Sequence, residues 1–181
     1  MTDKRVEDLM LSLDEYATVS EDSTLQHAFQ ALSLPHKVGG RLRHCHRAVL
    51  VLDRKGTVVG KLTHWALLRS LEPELLRAKD LHSLPRAGLS PDFLRSILSG
   101  LPVADGSFVD LCRAAARIPV TDVMVPDVEH IDADVSITEA IRLLVLSHAQ
   151  SSLVHRGGKT VGLLRLTDVF EEVANTVATV D

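Results

Sequence analysis

The feature that most constrains the fold of this chain is a strand-to-helix pattern that occurs twice, at residues 59–68 and 161–170. In each copy an apolar residue and a glycine are followed by further apolar residues, which predict a buried strand, and the strand is followed by a helix. Residues 6–10 and 120–124 share a second pattern, one helical turn with its apolar side chains on one side. Because this order of elements recurs within one chain, it indicates an internal repeat, and two structurally similar halves are predicted.

Each half is predicted to contain a helical turn, a short strand, an amphipathic helix, two further strands and a closing helix. This is an α/β (α+β) fold of two pseudo-symmetric βαββα repeats. Ser136 and Glu139 have the spacing of a capping box and mark the start of the amphipathic helix in the second half. The first repeat is assigned residues 1–71 and the second repeat residues 118–181.

Residues 72–117 are predicted to form a helical insert, because they are rich in leucine and poor in serine–glycine tracts. Ser90 followed by proline is typical of a helix start. A second helix is expected over residues 107–117, with Phe108 and Ala115 facing inward. The first repeat also has about ten extra residues within 35–47, where a proline and two adjacent glycines favour a loop.

Composition narrows the class of protein. Apolar residues make up 45% and charged residues 24% of the 181 residues, as in ordinary globular domains. The formal net charge of −4 and the aromatic content of 3% argue against nucleic acid as a partner. No apolar run approaches the ~20 residues that span a bilayer, and the N-terminus lacks the apolar core of a signal peptide. Since Cys45 and Cys112 make no disulfide framework, a cytoplasmic protein is expected.

The order of elements and the two strand-to-helix endings resemble the tandem cystathionine-β-synthase (CBS) domain pair, also called a Bateman module, over residues 1–71 and 118–181. The resemblance implies a freestanding, bacterial-type CBS-domain protein with two clefts between its repeats. Clefts of this family commonly bind AMP, ADP, ATP or S-adenosylmethionine. The expected ligand is therefore an adenine nucleotide, which can carry Mg²⁺, and no cofactor is required.

The ligand-binding pattern of the family is glycine, two apolar residues, threonine or serine, two variable residues and aspartate. The first repeat keeps the hydroxyl as Thr63 but has Ala66 at the acidic position. The second repeat keeps Asp168 but has Arg165 where the hydroxyl is expected. The resemblance therefore implies one competent ribose site, beside Asp168, and one weak or empty site. The positions that line the base in the family are held here by Leu50 and Ser152.

Several side chains near Asp168 are candidate ligand contacts. The Asp168 carboxylate can accept from both ribose hydroxyls, and each such bond is worth about 1.5–3 kcal/mol. Arg165 is expected to reach a phosphate, and backbone amides near Thr167 favour an anion at the helix start. Val154 and Leu163 are predicted to enclose the adenine. The alternative is that Asp168 only caps its helix and that Arg165 is a solvated strand residue. The full candidate set is Asp168, Thr167, Arg165, Leu163, Val154, Ser152 and Thr63.

A basic stretch is the second candidate region. No acidic residue occurs between Asp22 and Asp53, whereas Arg41 and Arg43 lie there and give a positive field suited to phosphates. A solvated loop is the alternative interpretation. Residues 44–46, His-Cys-His, are not predicted to bind zinc, because adjacent side chains do not converge like spaced ligands and no CxxC pair accompanies them.

The sequence contains no GxSxG, P-loop or His-x-Glu zinc motif, so no enzyme activity is expected. We interpret the chain as a ligand-sensing module in which a bound nucleotide favours one arrangement of the repeats and an effector protein reads the change. The alternative is a ligand-free scaffold that docks a partner. A homodimer is expected, formed through apolar helix faces that contain Leu68 and Leu71 in one repeat and Val169 and Val173 in the other.

Overall fold

The computed structural model of the chain describes residues 4–34, 36–38, 41–43, 46–72, 90–100, 106–126 and 129–179. The first half follows the predicted order, beginning with a 3₁₀ turn at Val6–Asp8 and a second at Leu13–Glu15. Its further elements are β1 (Leu11–Ser12), β2 (Thr18–Ser20), α1 (Leu25–Ser33), β3 (His36–Val38), β4 (Arg41–Arg43), β5 (Ala48–Leu52), β6 (Val58–Thr63) and α2 (His64–Arg69).

The second half repeats this order after two helices from the predicted insert, α3 (Pro91–Gly100) and α4 (Phe108–Ala116). A 3₁₀ turn at Val120–Asp122 opens it. Its further elements are β7 (His130–Asp132), α5 (Ile137–Leu146), β8 (Ser151–Arg156), β9 (Lys159–Arg165) and α6 (Leu166–Val177).

Hydroxyl side chains cap several of these helices, because the first amides of a helix have no partner within it. The amide of Glu139 donates to Ser136 Oγ at 3.2 Å, as the predicted cap requires. The amide of Phe93 donates to Ser90 Oγ at 3.2 Å, so the Ser90 cap of α3 also forms.

Each half forms a sheet of three equivalent strands, and β1 adds a fourth strand to the second sheet beside β9. In the first sheet β2 pairs in parallel with β5, which pairs antiparallel with β6. In the second sheet β7 pairs in parallel with β8, which pairs antiparallel with β9. Each hairpin has a register irregularity at the same place, between Val51 and Leu52 and between Val154 and His155. The predicted fold of two pseudo-symmetric repeats is confirmed.

The opening 3₁₀ turns of the two repeats exchange places, so that each packs in the core of the other repeat. Val6 is fully buried in the second core, and its amide donates to the carbonyl oxygen of Val135 at 2.9 Å. Val120 is fully buried in the first core, and its amide donates to the carbonyl oxygen of Ser23 at 3.0 Å. Each half therefore completes the core of the other, which ties the two repeats into one body.

Three clusters of buried side chains hold this body together. One cluster lies under the first sheet and one under the second, each against its own helices. The third, central cluster contains residues of both repeats, among them Leu50 and Leu153, which occupy equivalent positions in the two hairpins. Leu11, Tyr16 and Leu163 complete it.

Four sequence predictions are wrong. The extra stretch of the first repeat is not simply a loop, because β3 and β4 pair within it and satisfy their backbone groups by hydrogen bonding. Phe108 is not inward-facing but 73% exposed, although Ala115 of the same helix is buried as predicted. Val169, assigned to the dimer face, is buried in the second core. The hairpin of the first repeat is one residue longer, so the counterpart of Ser152 is Val49 rather than Leu50.

Among the helices of the described segments, none combines the length and the hydropathy that crossing a bilayer requires.

Candidate functional site

Asp168 lies at the first turn of α6 and forms an ion pair with Arg165 at the end of β9. Arg165 Nε donates to Asp168 Oδ2 at 2.6 Å, and Arg165 Nη2 donates to Asp168 Oδ1. The two side chains are 10% and 15% exposed. Arg165 is therefore not the solvated residue of the alternative interpretation, and Asp168, the third residue of its helix, is not its N-cap.

Lys61 of the first repeat brings a second cation to Ser151, a residue of the neighbouring strand in the second repeat. Its Nζ donates to the carbonyl oxygen of Ser151 at 3.1 Å and lies 3.4 Å from Ser151 Oγ. Ser151 is the cross-strand partner of Arg165, so the two cations approach it from different repeats. Burial lowers the pKa of Lys61, while the charge of Glu129 acts in the opposite direction.

Sequence reasoning missed Lys61. Its counterpart in the second repeat is Leu163, so comparison of the repeats does not single out this position. The sequence feature that could have drawn attention to Lys61 is its place inside an apolar strand, between Gly60 and Leu62. Only the folded chain shows that this lysine crosses from one repeat to the other.

The structure divides the predicted adenine-contacting residues between two faces of the second sheet. Leu163 pairs with Leu153, and both lie in the central cluster between the repeats. Val154 and Leu164 lie in the core beneath the sheet, and Ser152 pairs with Leu164 on that face. Because alternate residues of a strand point to opposite faces, Val154 and Leu163 are not brought to the two sides of one ligand.

The remaining predicted residues are placed as follows. Thr167 is exposed at the second position of α6, one residue before Asp168. Thr63 caps α2, since the amide of Ala66 donates to its Oγ1 at 3.1 Å. The first repeat therefore has a capped, neutral helix start where the second has an ion pair.

The predicted phosphate contacts Arg41 and Arg43 lie on β4, where they pair with Val38 and His36 of β3. Residues 44 and 45 lie outside the described residues, so the structure describes only His46 of the His-Cys-His segment. Within the described segments, no three His, Cys, Asp or Glu side chains come together as a metal ion would require.

A pair of stacked imidazoles lies on the face of the second sheet that points to the first repeat. The rings of His130 and His155 have centroids 4.3 Å apart and planes inclined by 13°. Thr160 Oγ1 lies 3.1 Å from His155 Nε2. Partial burial and the neighbouring His130 lower the pKa of His155, and Asp132 opposes them. Sequence reasoning missed this pair, whose members come together only through the pairing of β7 with β8.

Solved structures share the fold of this chain. CBSX2 from Arabidopsis thaliana, a CBS-pair protein, matches with a TM-score of 0.58 at 17% identity, over 99% of this chain and 100% of that chain. A structure of CBSX2 in complex with AMP matches with a TM-score of 0.61 at 17% identity, over 94% of this chain and 97% of that chain. A CBS-domain protein from Agrobacterium tumefaciens matches with a TM-score of 0.59 at 17% identity, over 92% and 91%. Likeness at these identities concerns the fold.

Comparison with curated protein sequences gives no match. The family model described as "CBS domain" matches the chain twice, over residues 6–73 and 120–175. The two matched regions together cover more than half of the chain and coincide with the two repeats of the structure. The chain therefore belongs to the CBS-domain family, as a tandem pair.

Proposed function

We propose that this CBS pair, a regulatory module by its family, binds an adenine nucleotide in the cleft beside Asp168 and signals through the arrangement of its two repeats. The observation that supports this most is the cluster of one buried carboxylate, Asp168, with two cations, Arg165 and Lys61. A carboxylate suits ribose hydroxyls and the cations suit phosphate. CBSX2, a protein of the same fold, has a structure in complex with AMP.

The position of Lys61 gives the proposal a signalling step. Lys61 belongs to the first repeat, whereas Ser151, Arg165 and Asp168 belong to the second. A ligand that contacts Lys61 and Arg165 together interacts with both repeats. It therefore favours the arrangement in which these contacts form, and an effector protein can distinguish that arrangement from the others.

The test is a titration with AMP, ADP, ATP and S-adenosylmethionine, with and without Mg²⁺, read by calorimetry and by thermal unfolding. A ligand at a hundred times its dissociation constant should add about 2.7 kcal/mol to the free energy of unfolding. Asp168→Asn should weaken binding at least about tenfold, because it removes charge-assisted acceptors for the ribose.

Asp110→Asn is the matched control. Asp110 is also the third residue of its helix and also pairs with an arginine three residues away, Arg113, but it lies outside the cleft. Binding should be unchanged in this variant. Equal affinities in wild type and Asp168→Asn would remove Asp168 from the site.

A ligand-free scaffold is the second candidate, and one observation favours it. The carboxylate that would bind ribose is already engaged by Arg165. In that case none of the four compounds would shift the unfolding temperature at millimolar concentration, and the structure would serve only to dock a partner.

We also propose that the protein forms a homodimer through an apolar stripe on α6. Leu166, Phe170, Val173 and Val177 recur at helical spacing and are all exposed, Phe170 by 69%. Phe170→Glu should convert a sedimenting dimer to a monomer at micromolar concentration, because it places a charge in a desolvated interface. Phe108→Glu changes an equally exposed phenylalanine on α4 and should leave the dimer intact. A wild-type monomer would contradict the proposal.

A further inference from the structure

We propose that the first repeat carries a binding surface for single-stranded nucleic acid, formed by the β3–β4 hairpin, Arg47 and the start of α2. Its cations bind phosphates, and the exposed indole of Trp65 stacks with a base. This function goes beyond nucleotide sensing in the cleft, uses other residues and does not depend on it.

The charges of the chain are unevenly distributed, and this is the first observation behind the proposal. Between Asp22 and Asp53 there are none of the 24 acidic side chains but four of the 20 cationic ones: Lys37, Arg41, Arg43 and Arg47. The other residues therefore carry a formal charge of −8. The net charge of −4 argues against nucleic acid only as an average. Because salt screens exposed charges that lie farther away than about 10 Å, a local positive region can still attract a polyanion.

The fold arranges three of these cations on a hairpin. Arg41 and Arg43 are alternate residues of β4, so the backbone places both on one face of the hairpin. β3 contacts the turn Leu13–Glu15, which carries two acidic residues. The nucleic acid is therefore expected along β4, which continues toward Arg47, rather than along β3.

The start of α2 lies beside the end of this basic stretch and adds an aromatic ring. The amide of His64 donates to the carbonyl oxygen of Arg47 at 3.1 Å, and both residues are exposed. Trp65 follows and is 75% exposed. Arg43 is four residues from Arg47, a chain length of at most about 14 Å. The hairpin and the indole therefore lie within the length of a short oligonucleotide.

Cations beside an exposed indole fit a single strand better than other polyanions. Stacking on an aromatic ring accepts every base, because every base has a π-face, and it requires bases that are not paired. Inorganic polyphosphate can use the cations but not the indole. α2 is six residues long and turns Ala66 and Leu67 into the core, so it offers little apolar surface to an anionic membrane.

The first experiment titrates wild-type protein with oligouridylate and oligodeoxythymidylate of about 12 nucleotides. Trp65 is the single tryptophan of the chain, so tryptophan fluorescence reports contact with this residue alone. Binding should quench this fluorescence. For each phosphate contact, log K should fall by about 0.7 per tenfold rise in salt concentration. Contacts of Arg41, Arg43 and Arg47 together predict a slope of about −2.

Charge variants locate the phosphate contacts. Arg41→Gln combined with Arg43→Gln should weaken binding at least about tenfold at low salt and make the slope shallower by about 1.4. Arg95→Gln combined with Arg113→Gln is the matched control, because it removes the same charge from exposed arginines of α3 and α4. This control should keep the wild-type affinity within about twofold.

Trp65→Ala tests the stacking, with binding read from the fluorescence anisotropy of a labelled oligonucleotide. The affinity should fall about tenfold, whereas Trp65→Phe should retain most of it, because phenylalanine still stacks with a base. Phe108→Ala removes an equally exposed aromatic ring on α4 and should leave the affinity unchanged.

Several results would overturn the proposal. They are the absence of oligonucleotide binding at low salt, binding without a change in Trp65 fluorescence, and equal losses of affinity in the two double-arginine variants. Binding only to inorganic polyphosphate, or only to vesicles that contain phosphatidylserine, would also contradict it. Saturating AMP should not displace the oligonucleotide, since the cleft beside Asp168 is formed by other residues. Displacement would place the strand in the cleft instead, whereas a cleft that binds no nucleotide leaves this surface and its test unchanged.

Discussion

Replacing Asp168 with alanine is expected to lower the free energy of unfolding by about 3 kcal/mol. The variant removes the carboxylate that accepts two hydrogen bonds from Arg165. The arginine keeps its charge, and its side chain is only 10% exposed. Removing one partner of a buried ion pair is destabilising, because the charge that remains loses its charge-assisted hydrogen bonds while it stays out of water. Urea unfolding followed by circular dichroism measures the loss.

A second substitution should restore most of this stability. Asp168→Ala combined with Arg165→Thr gives the second repeat the pair that the first repeat has, Thr63 and Ala66. In the first repeat Thr63 accepts from the amide of Ala66 and caps α2, so the same residues can cap α6. The double variant is expected within about 1 kcal/mol of wild type, because the buried charge is removed together with its ion-pair partner. A double variant as unstable as Asp168→Ala would show that the ion pair does not account for the loss.

Asp110→Ala provides the matched control for this pair. Its partner Arg113 has the same spacing, but both side chains are more than half exposed. Exposed pairs of this kind contribute about 0.3–0.5 kcal/mol. Asp110 also accepts from the amide and the hydroxyl of Ser107 in a capping box, so the expected loss is about 1 kcal/mol, well below that at Asp168. A large loss at Asp110 as well would point to the helix start rather than to burial of the charges.

The architecture could be predicted because each repeat carries local signals that are visible in sequence. Ser90 and Ser136 each precede a helix and cap it, as their positions predicted. The glycine-containing strands were recognised because the pattern occurs twice. Signals of this kind depend on residues a few positions apart, so they do not require knowledge of the folded chain.

The site could be predicted only in part, for a physical reason. The position of Asp168 follows from the repeat, but its partner depends on how β9 turns into α6, which decides whether Arg165 reaches solvent or the carboxylate. Lys61 contacts a residue 90 positions away. No local pattern carries information about such a contact, and the packing of the repeats creates it.

Gly162→Ala is expected to lower the free energy of unfolding by about 3 kcal/mol, at the upper end of the usual cost of overpacking a core. A Cβ at Gly162 would overlap the carbonyl oxygen of Leu11 and lie 3.2 Å from its carbonyl carbon. Leu11 pairs with Leu163 where β1 joins the second sheet, and it lies in the central cluster. Because the obstacle is backbone, β1 has to move away from β9 and loosen the contact between the repeats.

Gly60→Ala tests this argument at the equivalent position of the first repeat. There the new Cβ would lie 2.5 Å from Sδ and 2.9 Å from Cγ of Met124, which a change of rotamer can move, and 3.2 Å from its Cβ, which has to give by a few tenths of an ångström. Methionine readily adopts another rotamer, so the expected loss is about 1 kcal/mol. In urea unfolding, the free energy of unfolding of Gly162→Ala should therefore be well below that of Gly60→Ala. Equal losses of unfolding free energy would mean that β1 moves as easily as the Met124 side chain. The N-terminal segment that contains Val6 and β1 would then contribute little to joining the two repeats.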